Sequence, residues 1–185
     1  MTRNTHIAYI GLGSNLGDRH ENVRKALELI GGSNEVVKVS NSYETEPLGS
    51  HIENSGPFIN AAAKISTSLT PQELLLALLD IEKTLGRPHP RPTGLARTID
   101  LDILLYDALV LDSPAITIPH PRLSKRLFVL TPLCDIAPAL VHPVLGLTMR
   151  ELEKNAPPAH NSSDNLCPCR PLAKDWREEP PFKPG

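Results

Sequence analysis

Asp100 and Asp102 stand two residues apart in the run Arg97-Thr98-Ile99-Asp100-Leu101-Asp102-Ile103-Leu104-Leu105-Tyr106. Its β-branched and leucine-rich composition reads as a buried strand, which sends alternate side chains to opposite faces. The two carboxylates therefore share one face, with Cα atoms roughly 6.6 Å apart. Ile99, Leu101 and Ile103 anchor the other face in a core. Two carboxylates on a largely apolar strand repel each other and are costly to desolvate, so something positive must face them. The spacing suits two magnesium ions, which take hard oxygen ligands and are held by one or two carboxylates together with substrate phosphates. The plainer alternative is a solvated sheet face, or pairing with nearby arginines.

Further residues fit an anionic, flat substrate. Residues 87–97 hold three arginines and three prolines, which makes a basic loop next to the carboxylates. Arginine recognises phosphate through a planar fork, so this loop over a carboxylate-bound metal fits a nucleoside triphosphate. From residue 58 to residue 66, Ile59, Ala61, Ala63 and Ile65 make an apolar face and leave Phe58 and Asn60 together on the other. A ring beside a carboxamide can stack on and hydrogen-bond a heterocycle, although a cross-strand packing pair would look the same. His120, held between Pro119 and Pro121, is either a phosphate contact or a hydrogen-bonded structural histidine.

The elements that must position these groups follow from periodicity and punctuation. Residues 6–13 read as a first strand running into a glycine turn, Gly11 to Gly17. The third glycine comes one residue late for a dinucleotide fingerprint and no Walker-type Gly-Lys follows, so the turn is read as structural. Asp18 and Glu21 start a helix with Val23, Ala26, Leu27 and Ile30 on one face and Gly31-Gly32 as its stop. Residues 35–46 form a second strand, followed by a loop through residue 57. Thr70-Pro71-Gln72-Glu73 is a capping box opening a helix through Leu85, with Leu74, Leu78, Ile81 and Leu85 buried and Gly86 as the stop. A short hairpin over residues 107–118, a helix over 128–136 and a last helix over 148–155 complete a domain of residues 1–156. Residues 157–185, rich in proline and charge, form a tail without periodicity.

Composition bounds the class. A chain of 185 residues, 40% hydrophobic and 22% charged, makes one soluble domain, and a formal net charge of -2 speaks against nucleic-acid binding. The apolar run at residues 7–12 is too short for a signal peptide or a membrane span, so the expected location is cytoplasmic. Cys134 reads as a small buried hydrophobe. Cys167-Pro168-Cys169 is too tight for a C-x-x-C motif, and with His160 it is a ligand short of a structural zinc site.

Taken in order, Tyr9 to Asp18, Tyr43 to Gly49, Pro57-Phe58-Ile59-Asn60-Ala61-Ala62, Ile81-Glu82 to Gly86-Arg87, the Arg-Thr-Ile-Asp-Leu-Asp-Ile block, Ile118-Pro119-His120-Pro121-Arg122-Leu123 and Arg126 to Leu130 resemble the 6-hydroxymethyl-7,8-dihydropterin pyrophosphokinases of folate biosynthesis. The resemblance spans about residues 6–152. It implies a ferredoxin-like α+β sandwich, with a central, mainly antiparallel sheet and flanking helices. It also implies transfer of the β,γ-diphosphate of ATP to the hydroxymethyl oxygen of the pterin, releasing AMP. Asp100 and Asp102 would hold two Mg2+ ions, and with Arg97 and Arg87 they would form the catalytic set. Phe58 and Phe128 would sandwich the pterin, with Asn60, Thr45 and Leu48 reading its polar edge. Glu82, Arg87, Arg97, Ile103, Thr117, His120 and Arg126 would bind ATP. The expected partners are these two small-molecule substrates, with neither nucleic acid nor membrane, and the expected state is a monomer. Asp102 is a candidate proton acceptor, although coordination to metal alone can activate the alcohol.

The chain departs from the family pattern at His89, Gly94 and Leu95-Ala96, all in the basic loop, where Arg91 is a possible substitute contact. Two other readings compete. A non-catalytic pterin- or nucleotide-binding module of the same fold has no need of the paired aspartates. An unrelated metal-dependent nucleotidyltransferase explains the aspartates but not Phe58, Asn60 and Phe128.

Overall fold

Ala8, Ile10 and Leu12 alternate with Tyr9, Gly11 and Gly13, so the first strand, β1 (His6–Ser14), presents an unbroken aliphatic face on one side and Tyr9 with two glycines on the other. The computed structural model describes residues 5–45, 56–87, 96–156 and 170–171. After β1 comes α1 (Arg19–Gly31), whose N-cap Asp18 accepts from the Glu21 N–H at 3.0 Å. β2 (Glu35–Val39), β3 (Tyr43–Thr45) and β4 (Phe58–Thr67) follow. Next is α2 (Pro71–Thr84), entered through the full Thr70–Glu73 capping box and left through Gly86 at φ +84°. β5 (Asp100–Tyr106), the hairpin of β6 (Leu111–Asp112) and β7 (Thr117–Ile118), and a single 3-10 turn at Leu123–Lys125 lead to α3 (Leu127–Ile136). The last elements are α4 (Met149–Asn155), again with a capping box, and the two-residue strand β8 (Arg170–Pro171).

The main sheet has the order β5-β1-β4-β3-β8, with β2 also on β4, and its pairs are antiparallel. Two β-α-β units interleave in it: β4 lies between β1 and the β2/β3 pair, and β1 lies between β4 and β5. One sheet face carries Ile10, Ile59, Leu101 and their neighbours against Leu27 and Ile30 of α1 and Leu74 and Leu78 of α2. The other carries Tyr9, Ala62 and Leu104 against Leu130 and Leu133 of α3 and Met149 and Leu152 of α4. Each of these aliphatic side chains contributes about 1.5–3 kcal/mol by leaving water.

The expected elements are present, with two changes. Residues 35–46 are two strands on the same partner, because Ser40 interrupts them. Its N–H donates to Ala62 O and its Oγ accepts from the Ala62 N–H, both at 2.9 Å, so a side chain stands in for part of the ladder. The expected glycine turn is also displaced: β1 runs on through Ser14 with Gly11 and Gly13 inside it, and only Gly17, at φ +66°, adopts a turn conformation. Cys134 is half-buried, and burial, aided by the nearby Glu153 carboxylate, pushes its thiol up to about 12, so it is an inert side chain. Among the described residues no helix is long and apolar enough to cross a membrane. Leu48, His89, Arg91, Gly94, Leu95, His160, Cys167 and Cys169 lie outside the described residues.

Candidate functional site

The two mid-strand glycines organise the site. Gly13 pairs with Asp100 of β5 on one side and with Asn60 of β4 on the other, and Asn60 pairs in turn with Tyr43 of β3. Two residues back, Gly11 stands between Asp102 and Ala62. Residues in cross-strand register project from the same sheet face, so carboxylates and carboxamide border a strip with no side chain of its own. A Cβ at Gly13 would lie 3.6 Å from Asn60 Oδ1 and 3.8 Å from Asp100 Cβ, so a side chain there would stand between the two.

On the β4 side of this strip, Asn60 Nδ2 donates to the Thr45 hydroxyl at 2.8 Å, and both residues are buried. That bond fixes the amide, with its Oδ1 facing the strip as an acceptor. Phe58 and Phe128 are each half-exposed under a guanidinium: Arg97 lies 5.7 Å from the centre of the Phe58 ring and Arg126 5.3 Å from that of Phe128. The helix bearing Phe128 is tied to the strand bearing Thr45. Asp135 on α3 accepts from the Tyr43 hydroxyl at 2.8 Å and from the Asn41 N–H at 3.0 Å.

On the β5 side, Asp100 receives a guanidinium on each oxygen. Arg97 Nη1 lies 2.6 Å from Oδ2, and Arg87 Nη1 meets Oδ1. Arg87 is buried and also donates to Glu82 Oε1 at 2.6 Å and to Ile99 O at 3.2 Å. Glu82, wholly buried, additionally accepts from the Leu101 N–H at 2.8 Å. These two bonds join the Glu82 carboxylate to Arg87 and to the strand that carries the aspartates. Sequence reasoning placed Ile81 and Leu85 in the buried stripe of α2 and overlooked Glu82 there. The signal was its spacing, since positions 74, 78 and 82 follow one another by one helical turn.

Asp102 also borders a cleft of about 240 Å3, lined by Ile103, Thr117 and His120 together with Leu75 and the turn Ser113–Ile116. His120 is fixed by its own N–H to Leu104 O at 2.9 Å, and its Nδ1 accepts from the Arg122 N–H at 3.2 Å. Burial lowers its pKa below the ordinary histidine value. The Asp102 charge partly opposes this, and Arg126 and Arg122 reinforce it. The ring is therefore neutral at pH about 7, with its proton on Nε2 as a donor. Leu75 and the Ser113–Ile116 turn went unnoticed in the sequence, because apolar and small residues in a hairpin carry no chemical pattern.

Metal chemistry is consistent with this donor set. Asp100 and Asp102 present hard oxygen atoms on one face beside a basic cluster, and a cation that keeps waters and is completed by phosphate oxygens needs no more from the protein than that. Among the described residues no group of three or more His, Cys, Asp or Glu side chains is gathered as for a metal ion.

Residues 9–138 match the sequence profile of the 7,8-dihydro-6-hydroxymethylpterin-pyrophosphokinase (HPPK) family. The 2-amino-4-hydroxy-6-hydroxymethyldihydropteridine pyrophosphokinase of Aquifex aeolicus is 42% identical over 145 residues, covering 78% of this chain and 89% of that protein. Its counterpart in Bacillus subtilis is 46% identical over 133 residues, 71% of this chain and 78% of that one. The folic acid synthesis protein fol1 of Pneumocystis carinii is 44% identical over 142 residues, 76% of this chain but 19% of that much longer protein. Among solved structures, wild-type Plasmodium falciparum HPPK-DHPS with pterin and p-hydroxybenzoate superposes with a TM-score of 0.65 at 18% identity, over 82% of this chain and 42% of that one. The same protein with pteroate gives a TM-score of 0.67 at 16% identity, over 83% and 45%. This chain thus spans less than half of those HPPK-DHPS chains, and at that identity the likeness concerns the fold.

Proposed function

Because this chain belongs to the 7,8-dihydro-6-hydroxymethylpterin-pyrophosphokinase family, we propose that the glycine-floored face bordered by Asp100, Asp102 and Asn60 is where its reaction takes place. The enzyme transfers the β,γ-diphosphate of ATP to the hydroxymethyl oxygen of 6-hydroxymethyl-7,8-dihydropterin in folate biosynthesis. The oxygen–phosphorus bond to the pterin forms, the α–β bridge of ATP breaks, AMP leaves, and the alcohol proton goes to the medium or to a carboxylate.

The observation that carries the placement is the register row Asp100–Gly13–Asn60, which sets a carboxylate and a fixed amide acceptor on either side of an open floor. The pterin lies over Gly13 between Phe58 and Phe128, its donor edge read by Asn60 Oδ1 and by the backbone near Thr45 and Leu48. The cleft bordered by Asp102 takes the adenosine side, with Ile103 and Thr117 on its wall and His120 Nε2–H as a donor to phosphate. Arg87, Arg97 and Arg126 supply the positive charge that phosphoryl transfer requires, and Glu82 holds Arg87 in place.

Asp100 and Asp102 would hold two Mg2+ ions, with ATP completing their coordination. When bound, such ions neutralise phosphate charge and lower the pKa of the attacking alcohol. Arg97, which pairs with Asp100 at 2.6 Å, would be free to turn part of its guanidinium towards phosphate if Asp100 held metal. Asp102 is the candidate acceptor of the alcohol proton, although coordination of the alcohol to metal would suffice to activate it. The strand order β5-β1-β4 with β2 and β3 beyond, and the interleaved β-α-β units, support a ferredoxin-like sandwich. We further propose that the enzyme works as a monomer in the cytoplasm.

The test is AMP formation from ATP and magnesium with and without the pterin, for the wild type and for Asp100→Ala. Pterin-dependent AMP that disappears in the variant upholds the placement. Unchanged turnover in Asp100→Ala removes the aspartate face from the reaction.

A further inference from the structure

Arg97 is the last residue of the basic segment and the one whose guanidinium reaches both Asp100 and the Phe58 ring. Its backbone is held by a single residue, Asn15, just past the end of β1. The Asn15 N–H donates to Arg97 O at 3.1 Å, and Asn15 Oδ1 accepts from the Arg97 N–H at 2.7 Å. One buried asparagine thus occupies both hydrogen-bonding groups of the Arg97 backbone. It does so with one backbone and one side-chain group, beyond the point where the regular β1–β5 ladder ends at Gly13 and Asp100.

We infer that Asn15 is a positioning residue for the diphosphate transfer: it fixes the backbone from which Arg97 alternates between Asp100 and the phosphates. This rests on the role given to Arg97 above. The physical argument is one of leverage. A guanidinium on a long, rotamer-rich stem is placed to catalytic accuracy only if its Cα is fixed, and Ala96 and Arg97 themselves lie outside any strand. A second observation bears on the same residue. Asn15 Nδ2 is buried without a hydrogen-bond partner among the described residues, so the amide is held where half of its bonding capacity is unused. An amide kept only to close the end of a strand would be expected to satisfy both ends or to sit in solvent. This one is oriented for the sake of its Oδ1.

The test is a double-substitution cycle on the full chain with Asn15→Ala, Arg97→Ala and the pair, followed by kcat and by KM for both substrates, with amide exchange read at Arg97. Asn15→Ala is expected to lower kcat by ten- to a hundredfold with less than threefold change in KM for the pterin, and to speed exchange of the Arg97 amide. In the Arg97→Ala background the same substitution is expected to have almost no further effect, because the residue acts through Arg97. Multiplicative losses, or Asn15→Ala with wild-type kcat, would overturn the inference. So would unchanged Arg97 exchange, since the clamp would then not exist. Asn15→Asp keeps the acceptor and should recover most of the lost kcat; an Asp variant as slow as the Ala variant counts against a role carried by Oδ1. If Arg97→Ala alone leaves kcat intact, the role of Arg97 itself fails. The exchange data then still report whether Asn15 holds that backbone, which separates the two failures.

Discussion

Glu82 and Arg87 lie 2.6 Å apart with both side chains buried, and the same Glu82 oxygen takes the N–H of Leu101, the residue that separates Asp100 from Asp102. A helix residue is thereby bonded to the strand that carries the carboxylates, and its partner arginine to the first of them. Removing the acid leaves a buried guanidinium short of one partner and a buried strand N–H without an acceptor. Glu82→Ala is therefore expected to cost about 3–5 kcal/mol in denaturant unfolding. Glu82→Gln retains a neutral acceptor and is expected to cost about half as much. Equal losses in the two variants would mean that the charge, and not the acceptor, holds the strand.

Gly13 makes the opposite kind of contribution, since its value lies in what it lacks. The Cβ of an alanine there would make ordinary contacts at 3.6 and 3.8 Å with Asn60 Oδ1 and Asp100 Cβ, so folding is not obstructed. Stability is expected to change by less than about 1 kcal/mol, with the reduced freedom of the unfolded chain partly offsetting any crowding. The methyl group occupies the floor proposed for the pterin, so KM for the pterin is expected to rise by about tenfold or more while KM for ATP stays within about twofold. Thermal melting together with steady-state kinetics on Gly13→Ala checks both halves, and a pterin KM equal to wild type would displace the pterin from this strip.

These two residues also mark where sequence reading succeeds and where it stops. Asp100, Asp102, Phe58 and Asn60 were legible because a period of two assigns side chains to faces without knowledge of the partners. The elements around them were legible because the Asp18 cap and the Thr70 capping box announce helix starts chemically. Gly13 was read as part of a turn, because glycine in sequence looks the same whether it bends the chain or clears a floor. Only the register with Asp100 and Asn60 tells the two apart. Glu82 was read as a nucleotide-side residue by resemblance, and its burial is a property of tertiary packing that helix periodicity alone could only suggest. The two strand residues at 170 and 171 were invisible, because edge pairing is made by backbone groups that every sequence possesses.

Acid sensitivity is expected from His142, which lies outside the site. Burial lowers its pKa below the ordinary value of 6.5, and its Nδ1 accepts from the Val144 and Leu145 N–H groups, both at 3.3 Å. Unfolded, the ring titrates near its ordinary value. Between that value and the lower native one the unfolded chain therefore binds more protons. Stability is level above about 6.5 and falls as the pH drops through this window. Protonation also removes the acceptor for two backbone groups of the turn. His142→Asn keeps an acceptor but does not titrate, so its melting temperature should fall less than that of the wild type between about pH 7 and about pH 5. Identical slopes would assign the acid sensitivity to other groups.

The tail strand makes a prediction that needs only its backbone. β8 pairs with β3 as Tyr43 opposite Pro171 and Glu44 opposite Arg170. Proline has no N–H, so in the antiparallel alternation Tyr43 and Pro171 form the pair without mutual hydrogen bonds, and Glu44 and Arg170 form the pair that exchanges them. Glu44 then directs its N–H towards the tail, whereas Tyr43 and Thr45 direct theirs towards β4, so a single amide reports the contact. Arg170→Pro removes the donor and is expected to speed exchange of the Glu44 amide on the order of tenfold while leaving Tyr43 and Thr45 protected. Arg170→Ala, which keeps the N–H, should resemble the wild type. If the Glu44 amide is equally protected in all three proteins, the tail does not cover this edge in solution. If it is released only in the proline variant, the strand that carries Thr45 is held from both sides, by β4 within the sheet and by residues 170 and 171 at its rim.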